Sequence, residues 1–320
     1  MNRRKLLTMA GALPLATALS LRGGGAVSPS RRVRPGDRDW PSATDWDGLR
    51  RAVGRRLIKV ESPLTACLGE PEGAACRAAI RNLRNPFVVR DNPGATQTSG
   101  WLDAWMSAPS VYAVAAQDAA DVAVAVNFAR EHNLRLAVKG GGHSYQGTSN
   151  ATDSLLIWTR PMDAITLHDA FVGEGCAGSQ APLPAVSLGA GVIWLLAYDA
   201  VTTKAGRYVQ GGGCATVGVA GLVQSGGFGS FSKRFGTAAA SLLEAEVVTA
   251  DGAVRIANAC TNPELFFSLK GGGGGSFGVV TRLTLRTHDL PQVFGGVSMA
   301  VKSTSDEAYR RLIGRFVSFY

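Results

Sequence analysis

Once its head is set aside, this 320-residue chain lacks any long apolar run and any broad excess of charge. No stretch after the head is long enough to span a bilayer, so the mature protein is expected not to be membrane-embedded. The formal charge of +9 invites a nucleic-acid reading, but 8 of the 33 basic and 1 of the 24 acidic residues fall within residues 1–38, leaving 25 against 23. No basic patch remains that is large enough to track a phosphate backbone, which excludes a nucleic-acid partner. Charged residues are only 18% of the chain against 46% hydrophobic, a balance for a packed core and not for disorder. Abundance lies elsewhere, in 40 glycines gathered into runs, as in loops wrapped around a ligand.

The head reads MNRRKLLTMAGALPLATALSLRGGG. Arg3, Arg4 and Lys5 precede an apolar stretch from Leu6 to Leu21 that is short, rich in small residues and interrupted by Pro14. This fits a signal peptide over residues 1–30, and the arginine pair followed by two leucines resembles a twin-arginine signal. Export to the periplasm or the exterior is the expectation. Of the five cysteines, Cys67 and Cys76 lie nine apart and are suited to a local disulfide in an oxidising compartment, or else are two reduced thiols. The odd total leaves at least one cysteine without a partner.

Residues 31–45 read as a linker and 46–106 as a helical and irregular segment, with a helix around 46–60. From Val111 the pattern becomes regular. VYAVAA is a short strand, Asp118 caps a helix with apolar residues at helical spacing, and LRLAVKGGG is the next strand. PAVSLGAG reads as a strand, residues 192–206 as a helix closed by Gly206, and RYVQGGG as a strand. A hairpin is predicted about Asp251-Gly252, then a short helix NPELFFSLK, a glycine loop and the alternating strand VVTRLTLRTH. Gly273, Gly275 and Gly278 satisfy G-x-G-x-x-G, but a helix precedes them and a strand follows. That order is the reverse of a Rossmann unit, so the Rossmann reading is rejected.

Two glycine-rich strand ends terminate in nucleophiles, GGGHS at His143 and GGGC at Cys214. Together with CATVGVAGLVQSGGFGSFSKRFG, NPFVV…TQTSGW and LKGGGGGSFGVVT, they make residues 60–300 resemble the berberine-bridge-enzyme-like branch of the vanillyl-alcohol-oxidase flavoproteins. The resemblance implies an α+β fold: a PCMH-type FAD-binding domain of two α/β subdomains over residues 107–290. Residues 291–320 would begin a substrate domain whose remainder, with the catalytic base, lies beyond residue 320.

The resemblance further implies bicovalent FAD, with His143 on the 8α-methyl and Cys214 on C6 of the isoalloxazine. Around the cofactor it places Gly140, Gly141, Gly142, Ser144, Tyr145 and Gly147 in the first loop. Gly213, Thr216, Val217, Gly218 and Gly221 follow in the second, then Gly226, Gly227 and Gly229, and finally Val248, Gly275 and Gly278. Val217 stands where relatives control oxygen access, and Tyr145 where a tyrosine lines the substrate side. Phe228 replaces a tyrosine of several relatives. Trp101, Trp105 and Trp158 are read as structural aromatics. The expected activity is a FAD-linked oxidase acting on a small hydroxyl- or amine-bearing substrate with dioxygen, without a metal. An inert FAD-binding fragment and a non-covalent FAD reductase remain open as alternatives.

Overall fold

Two β-sheets and the helix wedged between them organise the computed structural model, which describes residues 31–97, 108–293 and 295–320. Residues 1–30, expected to be a signal peptide, and Trp101 and Trp105 lie outside the described residues. Val33–Tyr320 cluster as one unit.

The first sheet has the order β1-β2-β4-β3, from β1 (Leu57–Lys59), β2 (Tyr112–Ala115), β3 (Arg135–Lys139) and β4 (Ser154–Trp158). β4 runs parallel to both β2 and β3, while β1 is an antiparallel edge. The second sheet is antiparallel, ordered β5-β6-β10-β8-β9. Its strands are β5 (Ile165–Phe171), β6 (Leu183–Gly189), β8 (Leu242–Val248), β9 (Val254–Asn258) and the long β10 (Val279–Asp289), which also pairs β7 (Arg207–Val209). One mostly parallel and one antiparallel sheet meet the α+β expectation.

Helix Ala119–Glu131 packs against strands of both sheets. Asp118 caps it by accepting from Asp121 N, and its inward residues Val122, Ala125, Val126, Phe128 and Ala129 join a core shared with Val114, Ile157, Leu188, Val247 and Leu283. Its near-continuous apolar surface is what a helix needs when both sides are covered. The hairpin at Asp251-Gly252 forms as expected, with Gly252 at φ +80° and Thr249 N accepted by Ala253 O.

Several expectations needed revision. The helix placed around 46–60 spans Ala43–Ala52, because Ser42 starts it with a capping box and Gly54 and Arg55 turn left-handed. Arg56 then joins buried Asp121 at 2.6 Å, and the chain continues as β1. The stretch after Asn85, read as irregular, opens with helix Pro86–Asp91: Asn85 accepts from Phe87 N and proline occupies the first turn. The helix expected over 192–206 runs Trp194–Tyr198 and widens into a π-helical turn, Asp199–Lys204, before Gly206 at φ +64°. Strands β4 and β5 were not anticipated. β4 carries a short apolar run, SLLIW, with no alternation to mark it.

Cys67–Cys76 form the expected disulfide. A second bond, Cys176–Cys260, was not foreseen; it joins the loop after β5 to the loop after β9 across a separation of 84 residues. Cys214 is the free cysteine. Replacing Cys176 and Cys260 together by serine is expected to lower unfolding stability by roughly 2–4 kcal/mol, since a long loop is no longer closed in the unfolded chain. Urea denaturation checks this, and an unchanged midpoint would refute it.

Candidate functional site

β3 runs into the first sheet and ends at Lys139, handing the chain to Gly140–Gly142 at the carboxyl edge, where parallel strand units leave room for ligands. The second loop follows β7. Trp194 N donates to Val217 O at 3.0 Å, Leu195 N to Ala215 O at 2.8 Å, and Ile193 forms a bridge with Gly218. These bonds hold residues 215–218 against the start of a helix whose Trp194 is fully buried.

The two loops meet backbone to backbone. A Cβ on Gly141 would lie 2.5 Å from Gly218 N, and one on Gly218 would lie 2.7 Å from Gly141 N. Real Cβ atoms do not approach so closely, so glycine at both positions is the condition for contact. The contact brings the expected nucleophiles to one hydroxyl: His143 Nε2 is 2.9 Å from Thr216 Oγ1, and Cys214 Sγ is 3.7 Å from the same atom. Thr216 is buried and Cys214 exposed. Burial lowers the pKa of His143 below the ordinary histidine value, which favours a neutral ring.

Among the described residues, the backbone N–H groups of Gly141, Gly142, His143 and Ser144 find no acceptor. Consecutive bare amides of this kind form a nest for an anion. Ser144 Oγ is engaged with Thr148, 2.6 Å from its hydroxyl and 3.1 Å from its N–H, closing a turn that also contains exposed Tyr145 and ends at Gly147. The third glycine loop lies along helix Val219–Gln224: Gly273 N donates to Gln224 O at 2.8 Å, and a Cβ on Gly274 would stand 3.9 Å from Gly221 Cα. Cβ positions on Gly213, Gly221, Gly226 and Gly275 meet open space, whereas Gly227, Gly229 and Gly278 press on Leu222, Gly211 O and Val248 O. Gly140 faces Ala190 O, Val217 is half-buried on the core, and Val248 ends β8 fully inside. Trp158 packs with Ala113, Ala137 and Leu156.

Sequence reasoning missed Lys139. Its side chain is wholly buried, donating to Asn92 O at 2.6 Å and Ala95 O at 2.7 Å. Asn150 Nδ2 adds a bond to Pro93 O at 2.9 Å, so segment 92–95 is stitched beneath the His143 loop. Burial pushes the Lys139 amine down to about 7, partly opposed by Asp91. No sequence signal separates this lysine from a solvated one. A cavity of about 450 Å³ adjoins Gly211–Gly213, walled by Tyr198, Tyr208, Phe231, Leu290 and Pro291 with no charged side chain. Tyr198 donates to Gly212 O at 2.6 Å, and burial raises the pKa of both tyrosines.

The residues present fit a flavin dinucleotide: a nest for its pyrophosphate, glycine-walled space beside helix Val219–Gln224, and two nucleophiles reaching one point. A family profile described as FAD binding domain matches residues 110–258. Residues 110–258 thus match a FAD-binding domain, and the fold is similar to that of flavoproteins of the vanillyl-alcohol-oxidase type. The chain is similar to the FAD-linked oxidoreductase penH of Penicillium thymicola, 36% identical over 320 residues, covering 92% of this chain and 54% of that one. It is also similar to the crystal structure of the VAO-type flavoprotein MtVAO615 from Myceliophthora thermophila C1, with TM-score 0.71 and 33% identity over 81% of this chain and 49% of that chain. A glucooligosaccharide oxidase from Acremonium strictum, whose structure is described as revealing a novel flavinylation, matches at TM-score 0.51 and 25% identity over 57% and 36% of the two chains. The chain spans about half the length of the curated relatives it matches.

Gly141→Ala is expected to cost about 1–3 kcal/mol by overpacking the loop crossing and to abolish flavin retention on gel filtration. Gly213→Ala, whose Cβ meets open space, should stay within about 0.5 kcal/mol of the parent; equal effects would refute the crossing's importance. For Lys139, the unfolded chain holds the proton up to pH 10.5 while the folded one releases it near pH 7. Folding stability therefore rises with pH between those values. Urea unfolding of Lys139→Met should lack that rise, and parallel pH curves for the two proteins would count against it.

Proposed function

We propose that this chain is the flavin-holding part of a FAD-dependent oxidase, with FAD attached through both His143 and Cys214. The observation carrying the reading is that both side chains reach the hydroxyl of Thr216, at 2.9 Å and 3.7 Å. The 8α-methyl and C6 are positions on one benzenoid ring, so two anchors gathered at one point suit them. A similar protein with a described unusual flavinylation adds support.

A bound flavin would supply hydride-accepting chemistry toward a carbon bearing a hydroxyl or amine, with dioxygen as the electron acceptor. The chain's own residues bind and orient. Amides of Gly141–Ser144 hold the pyrophosphate, and Gly213, Gly221, Gly226 and Gly275 leave room for the extended cofactor. Val217 presents a small side chain where dioxygen would approach, and Tyr145 stands exposed toward the substrate side. The uncharged aromatic cavity beside Gly211–Gly213 receives a small, largely apolar molecule. Burial raises the pKa of Tyr198 and Tyr208, which favours the protonated phenol in both.

Export is part of the reading. Two disulfides fit an oxidising compartment, as does the arginine-led head. Among the described residues no helix is long and apolar enough to cross a membrane.

Acid precipitation tests the attachment. Wild type, His143→Ala and Cys214→Ala should each give a yellow pellet, with the flavin on the remaining residue in tryptic peptides, and the double variant a colourless one. Colour released wholly to the supernatant by the wild type overturns the covalent reading.

A further inference from the structure

The flavin-attachment reading leaves open what prepares His143 for its role. A neutral imidazole carries one N–H, on Nδ1 or on Nε2, and the nitrogen without it holds the lone pair that can form a bond. His143 is half-buried, and burial favours its neutral form. Its Nε2 faces Thr216 Oγ1 at 2.9 Å, while Nδ1 has no hydrogen-bond partner among the described residues.

Thr216 is in turn held in place. It is 3% exposed, flanked by Ala215 O and Val217 O, which accept from Leu195 N and Trp194 N, and followed by Gly218 at the loop crossing. Its hydroxyl has one proton to give and can accept from a second donor. With Cys214 Sγ at 3.7 Å on one side and Nε2 on the other, two relays join the three atoms. Either Nε2–H donates to Oγ1 with the hydroxyl proton turned to sulfur, or S–H donates to Oγ1 with the hydroxyl proton turned to Nε2. The second leaves an Nδ1–H donor without an acceptor among the described residues, and the first does not.

We propose that Thr216 is the positioning residue of flavin attachment, holding His143 as the Nε2–H tautomer so that the lone pair stands on Nδ1, and tying Cys214 to the same hydroxyl. The proposal rests on the reading of His143 as an attachment residue. In that attachment a C–H bond of the 8α-methyl is replaced by a bond from carbon to Nδ1. One proton leaves the methyl and one leaves Nε2, and two electrons pass to dioxygen, giving hydrogen peroxide. The Nε2 proton passes to the Thr216 oxygen it already contacts as the hydroxyl gives up its own proton toward solvent at exposed Cys214.

Thr216→Val keeps the shape and removes the hydroxyl; Thr216→Ser restores the hydroxyl with less bulk. The full chain, produced with FAD, is read by mass spectrometry of the peptide containing His143. Flavin on that peptide should fall by ~10-fold or more in the valine variant, the scale of losing a positioned proton acceptor, and stay near wild type in the serine variant. In flavin-free chain labelled with ¹⁵N-histidine, NMR should show the proton of His143 on Nε2 in wild type and the serine variant, and a mixture with the Nδ1–H form in the valine variant. His143→Ala identifies the signals among the four histidines. Wild-type flavin loading with an unchanged tautomer in the valine variant overturns the proposal. So does equal loss in the valine and serine variants, which would mark bulk and not the hydroxyl as the requirement. A wild type with no flavin on His143 overturns the attachment reading instead, and the tautomer then decides the role of Thr216 alone.

Discussion

The site depends on one close approach, that of the Gly141 backbone to the Gly218 backbone. Each leaves no space for a Cβ on the other, and the loops they belong to carry His143 and Cys214. Separate the loops by the width of a methyl group and the shared contact through Thr216 is lost. The rest of the fold serves this crossing. β3 delivers the first loop, the bonds from Trp194 and Leu195 fix the second, and helix Ala119–Glu131 welds the two sheets into one core.

The floor of the first loop shows how the chemistry of burial reaches the site. Among the described residues no carboxylate is bonded to the buried Lys139 amine, and two backbone carbonyls of segment 92–95 accept from it. Lowering the amine's pKa toward 7 reduces the cost of carrying a charge inside. The result is a segment from the N-terminal side of the chain fastened beneath His143 by a group that answers to pH.

Much of the framework was legible because its signals are local. Asp118 before an apolar stretch at helical spacing marked the central helix, Asp251-Gly252 marked a hairpin, and Cys67 with Cys76 marked a short-range disulfide. Where reading failed, a competing local signal was overlooked or none existed. Asn85-Pro86 is a helix start inside a stretch taken as irregular, and Gly54-Arg55 a helix stop inside one taken as helical. β4, covered on both faces, shows an apolar run that periodicity cannot assign. The Cys176–Cys260 pairing across 84 residues has no local mark at all.

By itself the sequence determined the class of the domain, the α+β character and the pair of nucleophiles at glycine-rich strand ends, since these follow from residue types and short spacings. Tertiary structure alone decided which glycines open onto space and which press against neighbours, where Lys139 hides its amine, and that one threonine hydroxyl stands between His143 and Cys214. Those are distances between segments remote in the chain, set by packing and backbone bonds, and no spacing along the chain records them.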